Sequence, residues 1–226
     1  MNDPVPIRDA ATIIVLRDKA SNPSVLMGQR GKSAAFMPGK FVFPGGAIDP
    51  VDAIVPVGDV SQQCSSGLAD QSPLPPQQII AAAVRELWEE TGQILGRPHD
   101  WDGAPKGWRG FADTGHAPNG EALQFIFRAV TPIGAPRRFD ARFLLAHASD
   151  LATDPDDFSG AEDELSHLQW VPMTKAREFD LPFITQVVLA ELRDIIDRGA
   201  LPSSVPFFAN EDEQHLVRRL DGRSPL

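Results

Sequence analysis

The sequence predicts one mixed α/β domain. Three observations lead there: short apolar runs of strand length recur along the chain, two stretches show helical periodicity, and no repeat or linker divides them. Residues 11–16 and 25–29 are apolar runs flanking a polar turn at 18–23, which predicts a pair of strands. A third short run at 41–43 stops at Pro44-Gly45-Gly46, where two glycines after a proline mark a tight turn with unusual backbone angles. Residues 53–76 have little periodicity and hold Gly58, Gly67 and Pro73-Leu74-Pro75-Pro76, so they predict a loop, long for a compact domain. The first helix is predicted over 77–91. Pro75-Pro76 gives its start, Gly92 its stop, and Ile80, Ala83, Val84, Leu87 and Trp88 fall on one apolar face. A second loop, rich in glycine and proline, follows at 96–120 and carries Trp101 and Trp108. Strands are expected at 123–130, 142–147 and 165–171, and 182–198 has the pattern of an amphipathic helix. The tail holds Phe207-Phe208 and a charged end with helical character.

Composition narrows the function. With 226 residues, 42% of them hydrophobic and 23% charged, the chain has the makeup of a soluble globular protein with one sizeable core. No apolar run approaches the ~18 residues a membrane span needs. The start, Met1-Asn2-Asp3-Pro4, lacks the pattern of a secretory signal. One cysteine, Cys64, excludes an internal disulfide framework and a cysteine-based zinc site, and makes a reducing cytoplasm the expected location. The formal charge of −10 argues against a surface that coats nucleic acid, whose phosphates demand a basic footprint. Neither a membrane nor a nucleic acid is therefore an expected partner. A compact anionic substrate fits, because a bound cation inverts the local charge. The oligomeric state stays open, a homodimer included.

Glu86, Glu89 and Glu90 stand at i, i+3 and i+4, so their carboxylates project from one side of the predicted helix. Three like charges there repel by roughly 0.2–0.5 kcal/mol per pair. They also crowd the helix C-terminus, where the dipole disfavours each acid by a further ~0.3–1 kcal/mol. A helix built for stability alone would carry lysine or arginine at these positions. Something positive belongs among the carboxylates. Arg85, four residues before Glu89 and able to bridge it, is one candidate; a hard divalent cation with oxygen ligands is the other. A solvated acidic face is the plain alternative for such a charge run. The glycine turn at 43–46 weighs for the metal, because a turn of that kind can aim a backbone carbonyl at an ion held on the helix.

The stretch Arg85-Glu86-Leu87-Trp88-Glu89-Glu90-Thr91-Gly92 resembles the box of the Nudix hydrolases, Gly-x5-Glu-x7-Arg-Glu-U-x-Glu-Glu-x-Gly-U with U apolar. From Gly46, five residues lead to Asp52, an acid where the family has glutamate. Three departures stand out. Asp52 is shorter than glutamate, about 25 extra residues separate it from Arg85, and Gln93 stands where an apolar residue is expected. The resemblance implies an α/β/α sandwich with a mixed β-sheet, one domain over 1–226 with an insertion at about 53–76 inside the box. It also implies that Glu86, Glu89 and Glu90 bind Mg2+ or Mn2+, that Gly45 offers its carbonyl to the metal, and that Arg85 orients a glutamate. The implied reaction is hydrolysis of a diphosphate linkage in a small-molecule substrate.

The attacking water in such a reaction needs a base. Glu86 is one candidate within the box. Nudix enzymes also often recruit an acid from a loop before a late strand, here Gly160-Ala161-Glu162-Asp163-Glu164, which puts Glu164 first and Glu162 second. An ordinary solvated acidic loop is the alternative. His167 fits a strand residue with a local hydrogen bond better than a catalyst.

For the substrate, the insertion and the segments 36–46 and 138–143 resemble one subgroup, the peroxisomal enzymes that split coenzyme A and acyl-CoA. Of the coenzyme A diphosphatase signature, Leu26, Arg30, Gly39 and Phe43 to Gly46 align, while Gly31 and Ala35 depart from it. Arg30, Arg138 and Arg142 are candidate phosphate contacts, since a guanidinium fork suits phosphate oxygens. Each is equally able to pair with an acid. Trp101, Trp108, Phe207 and Phe208 suit core packing or an adenine stack. The chain ends Ser224-Pro225-Leu226, without a peroxisomal address. Coenzyme A or acyl-CoA leads as substrate, with nucleotide sugars and dinucleotides behind. A catalytically silent module that binds a ligand or regulates a partner is the reading from a different class.

Overall fold

In the computed structural model, which describes residues 5–34, 36–210 and 218–220, the apolar runs pair into one mixed sheet. In chain order the strands are β1 (Ile7–Arg17), β2 (Ser24–Arg30), β3 (Phe41–Val42), β4 (Gly45–Ala47), β5 (Gly96–Pro98), β6 (His116–Pro118), β7 (Gln124–Val130), β8 (Arg138–His147), β9 (Leu165–Pro172), β10 (Val205–Phe208) and β11 (Arg218–Leu220). The helices are α1 (Gln62–Ala69), α2 (Pro76–Thr91), α3 (Arg109–Asp113) and α4 (Phe183–Arg198). The sheet runs β11-β10-β7-β8-β1-β2-β3, with β4 also on β1 and β9 also on β2; β5 and β6 form a separate hairpin. The β1–β8 and β10–β7 pairs are parallel and the other pairs antiparallel.

The period-two alternation of β1 builds the layers. Ala11, Ile13 and Val15 join the core formed with α1 and α2, whereas Ile14 and Leu16 join the core formed with α4. Each Ile or Leu so buried contributes ~1.5–3 kcal/mol, which holds the central strand between two helical layers. On α4, Val188, Leu189, Leu192 and Ile195 recur at helical spacing and face the sheet. The result is the α/β/α sandwich with a mixed sheet that the sequence implies.

Two of the predicted loops carry more structure than their composition suggests. Residues 53–76 were expected to be irregular, yet they contain α1, opened by the Ser61 hydroxyl, which accepts the Cys64 N–H. Only Cys64 and Leu68, one turn apart, are buried on it, too short a pattern to announce a helix. The insertion is tied down by arginines from later strands. Arg128 donates to the carbonyls of Asp70 and Gln71 at 3.1 and 3.0 Å, and Arg142 donates to the Ser72 hydroxyl at 3.2 Å. Likewise 96–120 folds into β5, α3 and β6 around a buried Trp108.

These additions cover α2, which is therefore buried on nearly every side and not on one face alone. Proline at its first position and Gly92 beyond its end delimit it. At the tail, Phe207 and Phe208 lie in β10, and 218–220 form a strand where a helical end was expected. The rest of that expectation lies outside the described residues. No helix among the described residues is long and apolar enough to cross a membrane.

Candidate active site

The last turns of α2 carry Arg85, Glu86, Glu89 and Glu90, and Arg85 is their hub. Its Nη1 donates to Glu86 at 2.8 Å and to Glu89 at 3.0 Å. Its Nε and Nη2 donate to the two oxygens of Asp52 at 3.1 and 3.2 Å, and Nη2 also reaches the Ala47 carbonyl at 3.0 Å. Asp52 is 1% exposed, in the 3-10 turn Pro50–Ile54. It accepts two further bonds, from the Asp49 N–H at 2.8 Å and from the Trp108 indole N–H at 3.0 Å. The acid at the start of the box is thus a partner of Arg85, set apart from the helix carboxylates.

The glycine turn meets the same helix from the sheet. Gly45 donates its N–H to Glu90 Oε2 at 2.7 Å, and a Cβ on Gly46 would sit on the Glu86 carboxylate, so only glycine admits that approach. Glu90 is 2% exposed, and its second oxygen, Oε1, is buried with no hydrogen-bond partner. A buried carboxylate oxygen without a donor is costly unless a cation or a proton serves it.

The electrostatics agree. Burial pushes Glu86 up to about 7, aided by Glu89 and Glu164 and opposed by Arg85. Burial likewise raises Glu89, with Arg85 opposing and Glu162 and Asp52 adding to the rise. Glu90 is raised well above the usual carboxylate range by burial and by Glu86 and Glu164, against the Gly45 N–H and Arg30. Burial alone would lower Arg85, but Asp52, Glu86 and Glu89 hold it above its ordinary value.

The acidic loop lies against this cluster. The Glu162 N–H donates to the Glu89 carbonyl at 2.8 Å. Gly92 closes α2 in the left-handed region at φ 74°, and a Cβ there would run into the backbone of Gly160 and Ala161. Glu162 and Glu164 therefore stand where their charges reach Glu89 in one case and Glu86 and Glu90 in the other. Glu164 is half exposed and accepts from Arg30 Nη2 at 3.1 Å. Among the described residues no three acidic, histidine or cysteine side chains are already arranged as a metal cage, because Arg85 holds Glu86 and Glu89. The donor set, three carboxylates with one buried oxygen unpartnered, fits a hard cation that takes oxygen ligands.

Comparison with known proteins follows the same line. Residues 6–192 match the NUDIX domain. The chain belongs to the NUDIX domain family. It is 30% identical over 177 residues to the Caenorhabditis elegans protein named "Putative nudix hydrolase 7", which covers 73% of this chain and 51% of that protein, so the chain spans about half the length of that curated relative. It is also similar to the crystal structure of a NUDIX hydrolase from Alicyclobacillus acidocaldarius, at a TM-score of 0.62 and 26% identity over 88% of this chain and 99% of that one. Nudix hydrolases generally use divalent metal ions such as Mg2+.

Within this Nudix fold the three arginines part company. Arg30 lies beside the acidic loop, paired with Glu164. Arg138 lies at the start of β8, in register with Ile7, while Gly45 is in register with Thr12; five strand residues, about 17 Å, separate the two levels. Its Nε donates to the Thr131 carbonyl at 3.0 Å, which ties β7 to β8. Arg142 is 1% exposed and pairs with Asp9, the Asp140 backbone and Ser72. This places the Arg142 guanidinium inside the protein, with both Nη atoms bonded to protein groups and Nε buried, where the sequence reading expected a phosphate contact.

Residues to which the sequence reading gave no catalytic role matter as well. Gln93, at the last apolar position of the Nudix box, is fully buried. It donates to the Asp154 and Asp157 carbonyls at 3.1 and 2.7 Å and accepts from Thr153 at 2.6 Å. It thereby joins the end of α2 to the segment that leads into the acidic loop. His167 is exposed, bonds Ser166 at 3.1 Å and has φ 52° at an irregularity in the β2–β9 pairing. Trp101 donates to the His116 carbonyl at 2.8 Å, and Trp108 and Phe207 are buried in the core. A concavity of about 570 Å³ lined by His99, Trp101 and Arg109 takes in none of the carboxylates.

Proposed function

We propose that this chain is a metal-dependent Nudix hydrolase that cleaves a diphosphate linkage in a nucleoside diphosphate derivative, with coenzyme A or acyl-CoA the leading substrate. The observation that carries the reading is Glu90: a buried carboxylate with one oxygen fixed by Gly45 and the other without a partner. On the same helix, Glu86 and Glu89 complete a set of oxygen donors that burial holds above the usual carboxylate range. When bound there, Mg2+ or Mn2+ neutralises phosphate oxygens and acidifies an attacking water.

The chain's own residues do the rest. Gly45 fixes one Glu90 oxygen, and Arg85 holds Glu86 and Glu89 at a set spacing, leaving their remaining oxygens for a cation. Glu164 takes the proton of the attacking water, with Glu162 and Glu86 as alternatives. Arg30, partnered by Glu164 in the free protein, turns to a substrate phosphate, which it grips with two parallel donors. Leu26, Arg30, Gly39 and the 43–46 turn, which align with the coenzyme A signature, support that substrate class.

One observation favours the silent binding module: Arg85 already occupies Glu86 and Glu89, so an arginine serves as the cation for two of the three acids. A metal-supplemented screen of a diphosphate library, with products identified by mass, separates the readings. Release of 3′,5′-ADP with a phosphopantetheine product establishes coenzyme A; turnover of another member moves the substrate class; no turnover of any member favours the binding module. Glu89→Gln and Glu90→Gln should abolish metal-dependent turnover and keep the fold, and near-normal activity in both would remove the metal assignment.

A further inference from the structure

The indole N–H groups of three tryptophans end on different kinds of acceptor. Trp101 donates to the His116 carbonyl and Trp170 to the Pro155 carbonyl, the ordinary solution for a partly buried indole. Trp108 instead donates to a carboxylate, Asp52 Oδ1, at 3.0 Å, and both residues are buried. That oxygen has one other donor, Arg85 Nε at 3.1 Å, while Oδ2 takes Arg85 Nη2 and the Asp49 N–H. Each Asp52 oxygen thus receives one bond from Arg85 and one from a fixed anchor.

The anchor on the Trp108 side is built with care. Its ring is stacked at 6.3 Å and 29° on Trp101 and meets Phe111 edge-on at 5.4 Å. Phe111 in turn packs edge-on against Trp88 of α2 at 5.8 Å. A Cβ on Gly110 would collide with the Trp88 ring, so α3 lies directly on the helix that bears the glutamates. An aspartate carboxylate rotates freely about its last bond unless both oxygens are held. With Trp108 and Asp49 in place, its plane is set to meet the Arg85 fork.

We infer that Trp108 is a positioning residue of the acidic site: its N–H fixes the Asp52 carboxylate, Asp52 fixes Arg85, and Arg85 sets the spacing of Glu86 and Glu89. The second long segment, 96–120, then serves the box as a brace, standing behind the shorter acid that replaces the family's glutamate. The inference rests on the metal-dependent reading only for its consequence at the glutamates; the positioning of Arg85 stands by itself.

Two measurements on the full chain test it, using Trp108→Phe, with Trp101→Phe as a control that disturbs the same ring stack without touching Asp52. Hydrogen exchange of the Arg85 Nε–H, followed by NMR, reads the positioning without any metal. It should speed up about fivefold to tenfold in Trp108→Phe, the size expected for losing one buried hydrogen bond from the network, and stay within about twofold of wild type in Trp101→Phe. The affinity for Mn2+ alone, measured by electron paramagnetic resonance, should weaken about threefold to tenfold in Trp108→Phe only, at or below the low end for loss of a group bonded directly to a metal ligand, because Trp108 acts through Asp52 and Arg85. Site-specific 3-benzothienylalanine at position 108 keeps the bicyclic shape, lacks the N–H, and should give the same two results if Trp108→Phe fails to fold. Unchanged Arg85 exchange overturns the inference, as does equal loss in the Trp101 control or wild-type Mn2+ affinity with exchange accelerated. Wild-type protein that binds no Mn2+ counts against the proposed function, and the exchange measurement still decides the role of Trp108.

Discussion

Stripped of divalent cations, the protein should lose stability as pH rises through neutrality. Burial, with help from Glu89 and Glu164 and against Arg85, pushes Glu86 from 4.5 to about 7. An acid held above its unfolded value binds more proton in the folded state. Its contribution is therefore fully present below about 4.5 and is lost as pH rises through about 7. At ~1.4 kcal/mol per pH unit, the full difference is about 3 kcal/mol. Roughly 1 kcal/mol of that falls between about pH 6 and pH 8.5. Glu86 is 8% exposed, so solvent screening takes little from the effect. Glu86, Glu89 and Glu90 repel one another, so the proton belongs to the cluster and its release is one broad step.

Urea unfolding in chelator, followed by circular dichroism across that range, measures the slope. Glu86→Gln removes one of the raised carboxylates and should lessen the slope, which separates the cluster from the many surface acids. Mg2+ at the alkaline end should restore stability, in proportion to the logarithm of its concentration over its dissociation constant. Wild-type stability that is flat or rising with pH, or an undiminished slope in Glu86→Gln, would refute the argument.

Two further outcomes follow from the packing. Gly46→Ala places a methyl on the Glu86 carboxylate and, by displacing that group about 1 Å, should cost on the order of 100-fold in turnover; steady-state kinetics alongside a thermal melt separates this from unfolding. Arg142→Ala should destabilise by about 3 kcal/mol, the low end for breaking a buried pair, because Arg128 still holds Asp140. Urea titration reads that loss, and faster amide exchange in α1 should accompany it, since Arg142 also holds Ser72.

The features legible in sequence were the local ones. Pro76 and Gly92 bound α2 because a missing N–H and a left-handed residue suit those two ends and nothing between. The i, i+3, i+4 acids declare a shared face by geometry alone. By contrast, α1 buries only Cys64 and Leu68, a signal too short to separate from a loop. The use of Arg142 depends on Asp9, 133 residues away, and that of Trp108 on Asp52, 56 residues away; no periodicity encodes such pairs. Arg30 falls between: its place near the carboxylates follows from the β2–β9 pairing, but its partner Glu164 comes only with the folded chain.

The arginine ties of the insertion also impose an order of assembly. Arg128 lies 58 residues beyond Asp70, and Arg142 lies 70 residues beyond Ser72. A chain emerging from the ribosome can make α1 and α2 early and pack one on the other, but the arginines that tie the insertion down arrive only with β7 and β8. For that interval α1 rests on α2 through Cys64 and Leu68 without those ties. The fastening of the insertion is therefore a late event, and the β7–β8 hairpin is its clock.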